Sequence, residues 1–211
     1  MKNLPSSQNA PCLRVTLECP AEISKVTDQT HLTIKVKYEG LSETGSQDAP
    51  SITFNKYGVM REDDLALYQL RDGEWIQDMS ENDEYGGCCG FAILDAPPML
   101  VNVSEDDQFP SLSLGEAVIA HQYPLKEKLP GDAKAGDRFR LTLKQARVEW
   151  WNWGGREEHA NTKVYLPCWR LGPVVDPPTP DYDSLLCPET KNEGRPKLLV
   201  HIGDPVEFVL T

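Results

Sequence analysis

Nowhere in the 211 residues does an apolar run approach the length needed to cross a bilayer, so no segment reads as a membrane span. The N-terminus, MKNLPSSQNAPC, carries one lysine with no apolar stretch behind it and lacks the pattern of a secretory signal. Taken as complete, the chain is expected in the cytoplasm, and removal of a leader would reverse that expectation. Basic residues are in the minority: 21 Lys and Arg against 33 Asp and Glu leave a formal net charge of −12. This balance argues against nucleic acid as the main partner, because phosphate binding needs a basic surface. It disfavours anionic membranes for the same reason.

Histidine is scarce. His31, His121, His159 and His201 are scattered, and none stands at zinc-ligand spacing from another His or a Cys. Also missing are a long amphipathic helix, an internal repeat, a nucleophile elbow, a phosphate loop, a dinucleotide fingerprint and a metalloprotease helix. No cofactor and no metal are implied. The stretch Asp78–Glu84 offers oxygen ligands at alternate positions, with Glu105, Asp106 and Asp107 nearby in sequence. It fails the calcium-loop test, because Asp83 stands where the turn glycine belongs and Cys89 where the bidentate glutamate belongs. It reads as a solvated acidic loop.

The six cysteines are Cys12, Cys19, Cys88, Cys89, Cys168 and Cys187. A domain of this size does not need disulfide staples, and most are expected to act as small buried apolar residues. Cys12 and Cys19 fall in one strand, too far apart to bridge. Cys88 and Cys89, between Gly87 and Gly90, lack the spacing of redox or zinc motifs. The sequon Asn102-Val103-Ser104 would matter only in a secreted chain.

What the sequence does contain is strand after strand. HLTIKVKYEG alternates Leu32, Ile34, Val36 and Tyr38 with polar residues, the period-2 pattern of a half-buried strand. CLRVTLEC supplies an earlier strand closed by Pro20, and SITFNKYG directs Ile52 and Phe54 inward. Arg71-Asp72-Gly73-Glu74 reads as a hairpin turn between LALYQL and WIQ. FAILDAP and MLVNV read as two strands separated by Pro97-Pro98. A further strand runs through Val118, Ala120 and Gln122, and KVYLPCWRL is a short strand interrupted by Pro167. KLLVHI and PVEFVLT form a closing pair around Gly203-Asp204-Pro205. Residues 1–11 read as a loose arm and 172–196 as a proline-rich excursion, long enough to be a functional flap. The expected architecture is one all-β domain over 1–211, an antiparallel β-sandwich with long loops and little helix.

The segment FRLTLKQARVEWWNWGG, Phe139–Gly155, dominates this pattern. Phe139, Leu141 and Leu143 are in phase, but after Lys144 the apolar set shifts to Ala146, Val148 and Trp150. A β-bulge or a crossing from one sheet to another would produce that shift. Trp150 and Trp151 cannot both enter one core by simple alternation, so one of them is expected in a second cluster, a groove or an interface. A packed corner under the following loop competes with a contact surface as the role of Trp150, Trp151 and Trp153.

The patterns Leu112-x-Leu114-Gly115-Glu116 and Ala135-Gly136-Asp137-x-Phe139-x-Leu141-x-Leu143 resemble a hairpin of immunoglobulin-like accessory domains. A similar look occurs in uncharacterised β-sandwich proteins of filamentous fungi. The resemblance covers residues 109–153, rests on turn chemistry, and implies an immunoglobulin-like fold without a function.

Two functions follow as expectations. The first is a soluble, non-catalytic binding module that takes a hydrophobic small molecule or a protein partner. Trp150, Trp151, Trp153, Arg156 and Trp169 would form its contact surface with the proline-rich flap. The alternative is a cofactor-independent cyclase or isomerase with a Trp-lined pocket, in which His159, Glu157 and Glu158 move protons. For His159 and its neighbouring carboxylates the plain reading is an exposed charged turn. A third reading is a homo-oligomer joined through strand edges.

Overall fold

The computed structural model describes residues 10–24, 30–42, 49–60, 64–78, 96–168 and 192–211, with main chain only at 96–100, 127 and 165–168. Within them the chain forms β1 (Pro11–Glu18), β2 (Glu22–Ile23), β3 (His31–Leu41), β4 (Ile52–Phe54), β5 (Leu65–Arg71), β6 (Glu74–Gln77) and β7 (Ala96–Asn102). There follow β8 (Ser111–Leu112), β9 (Ala117–Pro124), β10 (Arg138–Leu143), β11 (Trp151–Trp153), β12 (Lys163–Cys168), β13 (Leu199–Ile202) and β14 (Val206–Leu210). The chain's helical turns include 3-10 turns at Tyr57–Val59, Leu125–Lys128 and Arg156–His159. None is long and apolar enough to cross a membrane.

The protein is therefore mostly β, arranged in four sheets: β13-β1-β3-β9, β2-β14-β10-β5-β6, β11-β4-β8 and β12-β7. The two larger sheets are mixed rather than wholly antiparallel. β1 pairs parallel to β13, and β14 pairs parallel to β2. The two closing strands are present but do not pair with each other: β13 joins the first sheet and β14 the second, with Gly203-Asp204-Pro205 carrying the chain between them. A crossover at Gly203 needs close approach, since a Cβ there would meet the Thr16 methyl at 2.9 Å.

Alternation is followed closely where one face meets the core. Leu13, Val15 and Leu17 of β1 and Leu32, Ile34, Val36 and Tyr38 of β3 are all buried. They share one core with Phe139, Leu141 and Leu143 of β10, Phe208 and Leu210 of β14, and Ile52, Phe54 and Trp151 of the three-stranded sheet. Burying a side chain of this size contributes about 1.5–3 kcal/mol, so this face dominates the stability. The hairpin between β5 and β6 turns at Asp72 (φ 52°) and Gly73 (φ 85°), the pair of left-handed residues that an Asp-Gly turn supplies.

Two other expectations are corrected and a third, left open, is decided. β7 runs unbroken through Pro97 and Pro98, which lie on a strand with a single β neighbour, where a proline costs no ladder bond on its open side. Residues 91–95 lie outside the described part. On β9 Val118 and Ala120 face the core as expected, but the register shift opposite Ile34 and Lys35 then puts His121 and Tyr123 on the inner face, while Gln122 is exposed beside Thr33. The third concerns the segment after Lys144. β10 ends at Leu143 and the chain rejoins as β11 in another sheet, so the phase shift marks a passage between sheets and no bulge. At Pro167, by contrast, the β7–β12 register does shift, as the interruption implies.

Among the described residues, two side-chain groups of the main core, the Tyr38 hydroxyl and the Trp151 indole nitrogen, carry no partner. The Tyr38 hydroxyl is buried without a hydrogen bond, and burial, with Cys12 alongside, pushes its pKa up to about 12. Tyr38→Phe removes an unsatisfied oxygen while keeping the ring. It is expected to leave stability unchanged or raise it by about 1 kcal/mol in urea unfolding. A loss above about 1 kcal/mol would reveal a partner for that oxygen.

Candidate functional site

β11 divides the tryptophans. Adjacent strand residues face opposite ways, and β11 stands between the main core and a smaller one. Trp151 is 0% exposed in the main core. Trp150 is 3% exposed and packs with Val101, Val103, Phe109 and Val164 in the second cluster. Its ring meets Phe109 edge-on at 5.3 Å and His159 at 5.7 Å. Trp153 is half-buried and braced edge-on against Trp151 at 4.8 Å. The split of Trp150 from Trp151 was expected, and each proves to be packed interior. Of these three, only Trp153 presents indole to solvent.

Among the described residues β11 is also an edge strand, bonded to β4 on one side only. A free strand edge ordinarily exposes a row of donors and acceptors. Here side chains meet that row. The Trp151 N–H donates to Asn192 Oδ1 at 3.0 Å, and the Trp151 carbonyl accepts from Arg195 Nε at 3.0 Å. The Trp153 N–H donates to Asn152 Oδ1 at 2.9 Å, and the Trp153 carbonyl accepts from His159 Nε2 at 3.0 Å. Asn192, Arg195 and His159 thereby take the place of a neighbouring strand.

A carbonyl can only accept, so His159 carries its proton on Nε2 and Nδ1 accepts from the Thr162 hydroxyl at 3.2 Å. The ring is 4% exposed rather than standing in an open charged turn. Burial pulls its pKa down, the Trp153 carbonyl and Glu158 act the other way, and Arg195 adds to the lowering. Both nitrogens are engaged within the protein. Glu157 and Glu158 are exposed, and Glu158 caps the turn by accepting the Gly155 N–H at 2.8 Å. Gly154 adopts φ 99°, with its hydrogen facing the Glu158 carboxylate, where a Cβ would come within 2.8 Å.

Arg156 fastens this turn to the loop after β7: its Nε donates to the Ser104 carbonyl at 2.6 Å, and Asp107 lies 3.5 Å away. On the far side, Asn192–Arg195 forms a tight turn with Glu193 at φ 51° and Gly194 at φ 75°. The Arg195 side chain is largely buried and its guanidinium lies 5.8 Å over the Trp151 ring. Burial lowers its pKa, with Glu193 opposing. Asn192 and Arg195 were not singled out from the sequence. The turn-forming run Asn192-Glu193-Gly194 was visible there, but nothing local ties it to a strand some forty residues earlier.

Trp169 and residues 172–191 of the excursion lie outside the described residues, as do Cys88, Cys89, Cys187 and the stretch 79–84. Cys12 and Cys19 are free thiols, and burial raises the pKa of both. Asn102 uses its amide to donate to Glu105 and to the Ala160 carbonyl. Among the described residues no group of three or more His, Cys, Asp or Glu stands close enough to hold a metal ion. No protein-family model, curated protein or solved structure matches the chain.

Proposed function

We propose that this chain is a non-catalytic binding module built on an immunoglobulin-like β-sandwich, with its contact surface at the β11 end. The sandwich reading is supported by the two larger sheets contributing opposite halves of one core, as in face-to-face packing. The observation that carries the binding reading is Trp153. It is a half-exposed indole held rigid from below by a fully buried one, on a strand whose outer edge is closed by side chains. A rigid aromatic with a polar rim is what an anchor residue needs, because little side-chain entropy is lost on contact. Arg156, Glu157 and Glu158, on the 3-10 turn that follows β11, would supply that rim.

Binding is favoured over proton transfer by the state of His159. A catalytic base needs a nitrogen free to reach substrate, and both of its nitrogens are already committed. The partner would be a hydrophobic small molecule or an apolar patch on a protein.

The test uses 8-anilinonaphthalene-sulfonate as an apolar probe, with fluorescence titration at neutral pH. Saturable binding by the native chain is expected, with at least about tenfold weaker binding by Trp153→Ala and an unchanged far-UV spectrum. Equal titration curves for the two proteins would refute the assignment.

A further inference from the structure

We propose that His159 is an acid-sensitive latch on β11: at low pH its ring leaves the buried place beside Trp150, and the outer edge of the strand opens. The structure gives the latch its parts. β11 is three residues long and, among the described residues, bonded to a single strand, β4, so its outer edge is held by side chains. Of those side chains, Asn152 and Asn192 do not titrate and Arg195 stays charged. His159 alone changes charge near neutrality.

The surroundings of the ring accept the neutral form and resist the charged one. Trp150 covers it edge-on, and among the described residues Val101, Val103, Phe109 and Val164 complete that apolar cluster. Thr162 holds Nδ1 and the Trp153 carbonyl holds Nε2. The charged groups acting on it are Glu158, from its own turn, and Arg195, from the Asn192–Arg195 turn; Glu158 favours a proton and Arg195 opposes it. Glu193 pairs with Arg195 from an exposed position. Desolvation outweighs the rest, so the ring's pKa in the closed form lies below its ordinary 6.5. The sign follows. Below about 6.5 the opened form binds the proton that the closed form refuses, so opening becomes easier as pH falls; above it the latch is indifferent to pH.

The consequence for a ligand, though not the latch itself, rests on the reading of Trp153 as the contact residue. Release of the Trp153 carbonyl would disorder the anchor and discharge what it holds. Binding at neutral pH and letting go in acid would follow from one buried imidazole.

Amide hydrogen exchange of peptides covering 151–153, corrected for intrinsic rates, tests the latch without any ligand. In the native chain the opening constant should rise as pH falls below about 6.5, by up to about tenfold per unit, and level off once the closed form also takes the proton. His159→Gln, whose amide can still donate to the Trp153 carbonyl, should abolish that slope. His121→Gln should keep it, although burial lowers the pKa of His121 as well. Equal slopes in the native chain and His159→Gln would overturn the latch. Should His159→Gln fail to fold, ring resonances of the native chain decide: His159 taking up a proton while 151–153 stay protected would equally overturn it. Probe binding untouched by Trp153→Ala would sink the contact reading and leave the latch standing.

Discussion

Trp151→Ala is expected to cost about 3–5 kcal/mol of folding stability, the largest loss of any single tryptophan replacement in this chain. The ring is fully enclosed in the main core, where it packs beneath Trp153 and under the Arg195 guanidinium. Truncation leaves a void that neighbours from three sheets cannot all move to fill. Against a typical total of about 5–15 kcal/mol, the variant would be marginal. Urea unfolding followed by far-UV circular dichroism reads the loss as a lowered midpoint at constant slope. Trp151→Phe makes a pointed comparison. Nε1 of Trp151 is buried without a hydrogen-bond partner, so Phe forfeits volume but no bond. It should retain well over half of what Ala loses. A loss below about 1 kcal/mol for Trp151→Ala would show that the ring is not part of the cooperative core.

Trp150→Ala should cost about 3 kcal/mol, and the damage should fall elsewhere. Trp150 is the largest member of the cluster that joins β11 to the β7–β12 pair, and its partners are Phe109, Val101, Val103, Val164 and His159. None of these belongs to the set around Trp151. Hydrogen exchange should therefore report lost protection in β7 and β12 while β1, β3 and β10 stay protected. With separate partners, the two losses should add to within about 0.5 kcal/mol in the double variant, although the residues are neighbours in sequence. Strong non-additivity, or uniform loss of protection, would mean that the two clusters are one.

These two tryptophans mark how far local pattern reaches. The alternation in HLTIKVKYEG places Leu32, Ile34, Val36 and Tyr38 inside because strand side chains alternate and one face must leave water. Asp72-Gly73 places a hairpin turn because few residue pairs accept two successive positive φ values. The phase shift after Lys144 was visible, and so was the conflict between Trp150 and Trp151. Neither could say whether a bulge or a passage between sheets resolved it, since both satisfy the same periodicity.

The candidate site was less legible. His159 followed by an acidic turn looks exposed in sequence, and its burial depends on Trp150 and Thr162 closing over it. Asn192 and Arg195 reach Trp151 only because the chain returns to that edge after a long detour.

By itself, then, the sequence determined what depends on near neighbours: the strand-rich class, the faces of β1, β3 and β10, the Asp-Gly turn, and the need for two separate homes for Trp150 and Trp151. Tertiary structure alone decided the parallel pairings of β1 with β13 and of β2 with β14, and the closing of β11's edge by side chains distant in the chain. The physical reason is one of range. Side-chain alternation and turn strain act over a few residues, whereas a backbone N–H or carbonyl at a sheet edge accepts any suitable partner, and only the folded chain selects which one arrives.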